Sequence, residues 1–450
     1  MVYSIIKKSH LEGALRLDAE YYQPEFLNIK NIFFNRKNND FRELSMFVKK
    51  GIFDISPEKY IKSGIPLVRV QNIKNGMIDN SNMVYLSEKN HNIENKTELS
   101  DFDFVLSKIG TVGEIALLDP KYKKWNFSQN VIGIKLKKEK ISPAYVLFFL
   151  LSKFGQLQIK RAEMGQVQPK LELEDIRNLK IIRIKEEKIF QDYLEKILEL
   201  RSKAELFYQQ AENILLEELG LKDFNYDKSL FSIVNLSEVV NANRIDAEYF
   251  QEKYKKLVKK IKLNKAKKLG DLVSIKKGFE PGSEEYHEEG RLFIRVSTLS
   301  KNGINLTEEK YLSEKLYQEL KKDYNPEVGE ILLTKDATPG IAYVIKEPVE
   351  GIMSGGILRL KLKENIDVEY LTLCLNSIVG QMQAERDSGG SVIAHWKPEQ
   401  IKKLLIPILP KPTQQKIADL IRQSHEARKK AKELLEEAKK KVEEIIRERR

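Results

Sequence analysis

Few residues of this chain have the types and spacing that catalysis needs. A single cysteine, Cys374, excludes a disulfide framework and a cysteine-ligated zinc site. The five histidines, His10, His91, His287, His395 and His425, stand at no metal-ligand spacing. There is no G-x-x-x-x-G-K-S/T run to cradle a nucleoside triphosphate. There is no H-x-E with C-x-x-C to activate a zinc-bound water. Gly110-Thr-Val-Gly113 has the G-x-x-G spacing of a backbone clamp. So short a match recurs by chance, and a turn that brings backbone near a ligand is the better reading. What the composition does offer is positive charge: 78 Lys and Arg against 66 Asp and Glu, a net +12. Lysine and arginine displace counterions from a phosphate backbone, so the surplus suits a polyanionic partner, with a solvated basic surface as the bland alternative.

The elements that must position any such residues come from a repeat. Arg16-Leu-Asp-Ala-Glu-Tyr-Tyr-Gln returns as Arg244-Ile-Asp-Ala-Glu-Tyr-Phe-Gln, an offset of 244 − 16 = 228. Val48-Lys-Lys-Gly returns as Ile275-Lys-Lys-Gly, Leu67-Val-Arg-Val as Phe293-Ile-Arg-Val, and Tyr85-Leu-Ser-Glu-Lys as Tyr311-Leu-Ser-Glu-Lys. Lys74-Asn-Gly matches Lys301-Asn-Gly, Val105-Leu-Ser-Lys matches Leu332-Leu-Thr-Lys, and Gly155-Gln156 matches Gly380-Gln381. The offset drifts only between 225 and 228, so the chain is a tandem duplication.

Each copy opens with an amphipathic helix, predicted over 19–30 and 247–261. Short β-branched runs follow, broken by Gly, Asn and Pro. Val131-Ile-Gly-Ile-Lys-Leu-Lys corresponds to Ile357-Leu-Arg-Leu-Lys-Leu-Lys. A largely apolar helix is predicted next, over 143–161 and 368–386, with Cys374 buried on the second. Each copy ends in a long charged helix. In the first, Phe190, Tyr193, Ile197, Leu200, Ala204, Phe207, Ala211 and Ile214 step by three and four. In the second, Ile417, Ile421, Ser424, Arg428, Ala431, Leu435, Ala438, Val442 and Ile445 form a stripe that Ser424 and Arg428 interrupt. The Tyr and Phe residues of the stripe read as core. The last forty residues carry 13 basic and 8 acidic side chains, a solvated or partner-facing flank rather than a nucleic-acid contact. At 450 residues, with 41% hydrophobic and 32% charged, the chain has material for about three packed domains. The longest apolar run, 146–151, is too short to span a bilayer. The start, Met1-Val-Tyr-Ser-Ile-Ile-Lys-Lys, lacks a signal-peptide core. A cytoplasmic location is the expectation.

One order of motifs now stands out. Ser63-Gly-Ile-Pro-Leu-Val-Arg-Val-Gln-Asn-Ile-Lys-Asn-Gly is followed by Asp103-Phe-Val-Leu-Ser-Lys-Ile-Gly-Thr-Val-Gly, the apolar helix, Asp175-Ile-Arg-Asn-Leu-Lys-Ile and a coiled coil. The second half repeats it with Arg291-Leu-Phe-Ile-Arg-Val-Ser-Thr-Leu, Gly329-Glu-Ile-Leu-Leu-Thr-Lys-Asp-Ala-Thr-Pro-Gly, Gln400-Ile-Lys-Lys-Leu-Leu-Ile-Pro-Ile-Leu-Pro and Thr413-Gln-Gln-Lys-Ile. Over essentially its whole length the chain resembles a specificity subunit of type I restriction–modification systems. It departs from the family at Arg183-Ile-Lys-Glu-Glu-Lys-Ile, which replaces a Pro-rich entry to the coiled coil, and at Asp336-Ala-Thr-Pro-Gly, which replaces a Gly-rich turn.

The resemblance implies an α+β fold: a tandem duplication of a mixed α/β target recognition domain, each copy followed by a long helix, the two helices forming an antiparallel coiled coil. The expected boundaries are 1–185 and 244–411 for the two domains, 186–222 and 412–450 for the helices, and 223–243 for a linker. It also implies a non-catalytic reader of a bipartite double-stranded DNA target that scaffolds methyltransferase and restriction/translocase subunits, with no membrane contact. No cofactor of its own is expected; S-adenosylmethionine, ATP and magnesium belong to the partners. Asp119-Pro-Lys-Tyr122 superficially resembles the Asp-Pro-Pro-Tyr of amino-methyltransferases, but lacks the second proline and a preceding Gly-rich loop, so a β-turn is expected there. Asn325-Pro326 reads the same way. The rival class is a coiled-coil interaction protein whose globular domains bind protein.

DNA contacts need cations, hydroxyls or backbone N–H groups for phosphates, and amide, charged or hydroxyl side chains for base edges. In the first copy the candidates are Arg69, Gln71, Asn72, Lys108, Thr111, Gln166, Gln168 and Lys170. In the second they are Arg295, Ser297, Thr298, Lys335, Thr338, Ser391, His395 and Lys397. Arg69 and Arg295 are alternatively strand residues paired to a carboxylate, and His395 is alternatively structural. The segments around 166–170 and 391–397 differ between the copies, as two readers of different sequences require.

Overall fold

Runs of Val, Ile, Leu and Phe cut by glycine and asparagine fold as short strands because branched side chains pack well on a pleated surface. The structure is a computed structural model that describes residues 4–6, 16–52, 55–164, 169–224, 231–305, 310–388 and 394–448. It comprises two compact units, Met1–Arg201 with Lys429–Arg450, and Ser202–Arg428. In the first unit six strands lie in the order Ser45–Lys50, Val131–Leu136, Phe104–Ser107, Ile115–Leu117, Gly76–Ile78, Ile73–Lys74. All pairs are antiparallel except Gly76–Ile78 with Ile115–Leu117. Side chains alternate across this sheet. Phe104, Leu106, Ile115, Leu117, Ile132 and Ile134 enter the main core, while Val105, Ala116 and Val131 enter a smaller one with Trp125 and Phe127. Gly133 is required there, since a Cβ would fall 2.1 Å from the Phe127 ring.

The second unit repeats the plan. Its sheet order is Val273–Lys277, Ile357–Leu362, Ile331–Thr334, Ala342–Val344. Ile331, Leu333, Leu358 and Leu360 face the main core, and Leu332 and Ile357 the smaller one.

The opening helices start later than the pattern predicts. Pro24 fixes the first turn of Pro24–Phe34, and Ala19–Tyr22 is a separate 3-10 turn, because the residue before a proline avoids helical backbone. The corresponding helix of the second unit is Glu252–Lys262. Each predicted apolar helix is in fact two, Pro143–Leu151 with Lys153–Ala162, and Val368–Asn376 with Ile378–Asp387. Ser152 and Ser377 hold the break in extended conformation. The repeated Gly-Gln serves this break. Gly155 and Gly380 let the second helix lie against the backbone of Leu150 and Leu375. Gln156 and Gln381 donate to the carbonyls of those two leucines, at 2.8 and 3.0 Å, satisfying groups that a helix end leaves open.

The long helices are Ile189–Glu218 and Lys411–Glu448. Tyr193 donates to Glu437 at 2.7 Å in the first unit, and Ser424 to the Ala204 carbonyl at 2.6 Å in the second. Partner numbers fall along one helix as they rise along the other, so the pairing is antiparallel. Ser424, expected to interrupt the stripe, is buried and bonded. The first helix buries Phe190, Leu194, Ile197, Ala204, Tyr208, Ala211 and Leu215. Tyr193, Leu200, Phe207 and Ile214 from the predicted stripe are only half-buried.

Candidate nucleic-acid interface

In each unit the candidates among the described residues gather at one end of the main sheet. Phe104–Ser107 leads into Lys108, whose N–H donates to the Asn130 carbonyl at 2.9 Å and whose carbonyl accepts from Leu171 at 3.2 Å. The turn after it needs left-handed backbone at Gly110 and Gly113, and Ser107 closes it by donating to the Thr111 carbonyl. A side chain at Gly113 would strike Ile159 at 2.5 Å. Lys170 exchanges backbone hydrogen bonds with Met164, at 3.0 and 2.9 Å, and pairs with Ile109. These bonds fix both flanks of the segment holding Gln166 and Gln168, which lie outside the described residues.

The second unit builds the same corner with other side chains. Thr334 donates to the Thr338 carbonyl, with Ala337 and Gly340 in left-handed backbone. The Trp396 N–H donates to the Lys335 carbonyl at 2.8 Å. Asp336 pairs with His395, as Ile109 does with Lys170. His395 Nδ1 lies 2.7 Å from the Asp336 carboxylate, and Lys335 also reaches it. Burial works to raise the Asp336 pKa, but these two hydrogen bonds hold it below the usual carboxylate value. Lys397 is exposed and heads the short helix Pro398–Lys402, the position Glu172 takes before Leu173–Arg177. Ser391 lies outside the described residues.

A second feature is a 3-10 turn at Val70–Asn72 and Val296–Thr298. Asn72 accepts from the Arg69 N–H at 3.0 Å and donates to the Asp79 carbonyl at 3.0 Å; it is 1% exposed. Thr298, equally buried, accepts from the Arg295 N–H at 3.1 Å. Both side chains are spent on shaping the turn, so they position it and do not face a ligand. Gln71 and Ser297 occupy its exposed apex. Arg69 donates to the Asn82 carbonyl, not to a carboxylate, and Arg295 is half-buried at the equivalent point.

Sequence reasoning missed Lys50, Glu172 and Asp336. Lys50 ends the strand Ser45–Lys50 beside Lys108, as Lys277 ends Val273–Lys277. Its signal was the repeated Lys-Lys-Gly, whose glycines allow close backbone contact: a Cβ at Gly51 would meet the Ser128 carbonyl at 2.2 Å. Burial pushes the Lys108 ammonium pKa down. Glu172 opposes this, and the like charges of Lys50 and Lys170 add to the drop.

The longest repeat is an anchor. Arg16 forks onto Asp18 and donates to the Ala162 and Glu163 carbonyls at 3.3 and 3.1 Å. Arg244 does the same with Asp246 and the Asp387 carbonyl. Each arginine thus ties down the helix that precedes a candidate segment. Asp119 accepts from the Lys121 N–H at 2.9 Å within a turn. Asn325 accepts from the Gly351 N–H at 3.0 Å, a structural contact. Cys374 is buried, with its thiol pKa pushed up to about 12 by burial. Among the described residues no helix is long and apolar enough to cross a membrane, and no His, Cys, Asp and Glu group is arranged to hold a metal.

The family model described as type I restriction modification DNA specificity domain matches residues 35–199 and 261–440. Among solved structures the chain is similar to the type I restriction–modification S subunit from M. genitalium. Identity is 14% over 92% of this chain and 95% of that one, with a TM-score of 0.39. It is also similar to the HsdS subunit from Thermoanaerobacter tengcongensis. Identity there is 14% over 91% and 95% of the two chains, with a TM-score of 0.28.

Proposed function

The chain belongs to the type I restriction–modification DNA specificity family, and from that premise we propose that each unit reads one half of a split double-stranded DNA target. One observation carries this reading. Two units of the same topology present different side chains at equivalent points of one corner. Ile109 stands against Asp336, Lys170 against His395, Glu172 against Lys397, and Gln71 against Ser297. A shared frame with divergent tips suits two readers of different sequences. In the first unit the readers are Arg69, Gln71, Lys108, Thr111, Gln166, Gln168 and Lys170. In the second they are Arg295, Ser297, Lys335, Thr338, Ser391, His395 and Lys397. Lysines and arginines set the register on phosphates, while amides, hydroxyls, His395 and Asp336 meet base edges.

The paired helices serve as the spacer between the readers and as the frame on which methyltransferase and restriction subunits dock. The chain performs no chemistry of its own in this scheme and works in the cytoplasm. The test is selection of bound duplexes from a random pool, with the methyltransferase subunits supplied, followed by sequencing. The proposal expects two short fixed blocks separated by an unread gap of constant length. A bound pool without sequence preference would favour a coiled-coil interaction protein instead.

A further inference from the structure

We propose that Lys50, Lys108 and Lys170 form a holding site for a backbone phosphate of DNA, with Glu172 as a built-in competitor for that place. The inference rests on the DNA-reading proposal and deepens it. The three lysines come from separate pieces of the fold: the end of Ser45–Lys50, the turn after Phe104–Ser107, and the segment before the helix Leu173–Arg177. Two of them meet one carboxylate, and the third stands near it. The Lys170 ammonium lies 3.5 Å from Glu172 and the Lys50 ammonium 4.0 Å. Lys108 stands close enough to feel all three charges.

Three ammonium groups around one carboxylate leave a local surplus of two positive charges, and like charges this close repel. The carboxylate therefore neutralises the cluster only in part, and a further anion is attracted to it. A phosphodiester supplies one negative charge and two free oxygens. The site is open to it, because the side chains of Lys50, Lys170 and Glu172 are 51%, 51% and 40% exposed. Held by its oxygens, Glu172 stands in for that anion in the free protein and must yield to it.

The second unit has an equivalent corner with its acids placed differently, Lys277 pairing with Glu280 at 3.7 Å. Lys277 and Lys335 occupy the places of Lys50 and Lys108, and Lys397 replaces Glu172. The acid there has moved to Asp336, which Lys335 and His395 already engage. Glu172 therefore makes the first unit bind backbone more weakly than its three lysines alone would allow.

The experiment uses the full chain and two probes: a duplex recovered by selection, and the same duplex with the first half-site scrambled. Dissociation constants are measured across a salt series. Lys50→Ala is expected to weaken both probes by the same several-fold factor and to lower the salt slope by about 1. Lys50→Arg keeps the charge and should hold the slope. Glu172→Gln is expected to tighten both probes equally, a gain that misfolding cannot produce. An unchanged slope in Lys50→Ala, or an effect of Glu172→Gln confined to the intact duplex, overturns the phosphate site while leaving the reader intact. Failure of the unaltered chain to bind either probe overturns both.

Discussion

At Gly380 a methyl group has no room: a Cβ would fall 2.2 Å from the Leu375 carbonyl oxygen, a backbone atom that cannot swing aside. Gly380→Ala must therefore push Ile378–Asp387 off Val368–Asn376 and lengthen the bond from Gln381 to Leu375. A destabilisation of about 1–3 kcal/mol is expected, read as a lower urea midpoint at unchanged slope. A midpoint equal to that of the unaltered chain would show that the two helices do not depend on this contact. The Gly-Gln pair was visible in the sequence as a repeat, but its purpose was not. A glycine inside an apolar helical pattern carries no mark of the serine break three residues earlier. The candidate site was legible to a similar degree. Lys108, Lys335, Lys170 and His395 stand beside turns in the sequence, and the fold sets Lys108 near Lys170 in the first unit and Lys335 and His395 on one carboxylate in the second. Asn72 and Thr298 were picked for their chemistry, and the fold uses that chemistry inward. Glu172 and Asp336 were passed over because what matters is their neighbours, residues 59 positions away in the case of Asp336 and His395. On the proposed reading, Asp336→Asn, which removes a charge beside His395 and Lys335, is expected to alter the preferred bases in the second block only, as seen by sequencing selected duplexes.

The long helices show how far periodicity can be trusted. The steps of three and four correctly located both elements and the buried positions Phe190, Ile197, Ala204 and Ala211. They chose Phe207 and Ile214 where the fold buries Tyr208 and Leu215. Neighbouring apolar residues make either face plausible in isolation, and only the second helix and the domain packed on it decide. His425 on that second helix gives a pH test. It is half-buried beside Tyr343, 3.9 Å from Glu369, with Lys346 and Arg428 also facing it. Burial, with those two cations, takes its pKa from 6.5 down to about 3. Between these values the unfolded chain binds a proton that the folded chain refuses. Stability should therefore fall as pH drops below 6.5, by up to about 1.4 kcal/mol per pH unit. Urea midpoints measured at pH 7 and at pH 5 should diverge in the unaltered chain and draw together in His425→Gln. An equal fall in both would mean that His425 does not set the acid limit.

For the molecule as a whole, the duplication was readable from end to end because it is a property of sequence alone. The division into units was not. Lys429–Arg450 joins the first unit although it lies at the far end of the chain, since antiparallel helices pair residues some 240 positions apart: Tyr193 with Glu437 is one case. A chain with net +12 that neutralises on the order of 6–10 phosphates should lose about 10³–10⁵ in DNA affinity between 50 and 200 mM salt. A flat salt response measured by gel shift would remove the electrostatic basis of the reader. The helix Ile189–Glu218, with 30 residues, spans about 45 Å, more than the roughly 34–36 Å of one DNA turn. Inserting a heptad after Leu200 and another near Ala431 keeps the stripe and adds about 10.5 Å. The selected gap should then lengthen by about 3 base pairs, at about 3.4 Å each. Half-sites recovered at the original spacing would show that the helices are not the ruler.

The central claim, that two independent readers share one frame, is tested most directly by exchanging one of them. Residues 19–170 are replaced by the equivalent segment of another family member, and duplexes bound by the hybrid with its methyltransferase subunits are selected and sequenced. The account predicts that the first block of the target changes, while the second block and the length of the gap stay as they were. A target in which both blocks change together, or neither does, would contradict it.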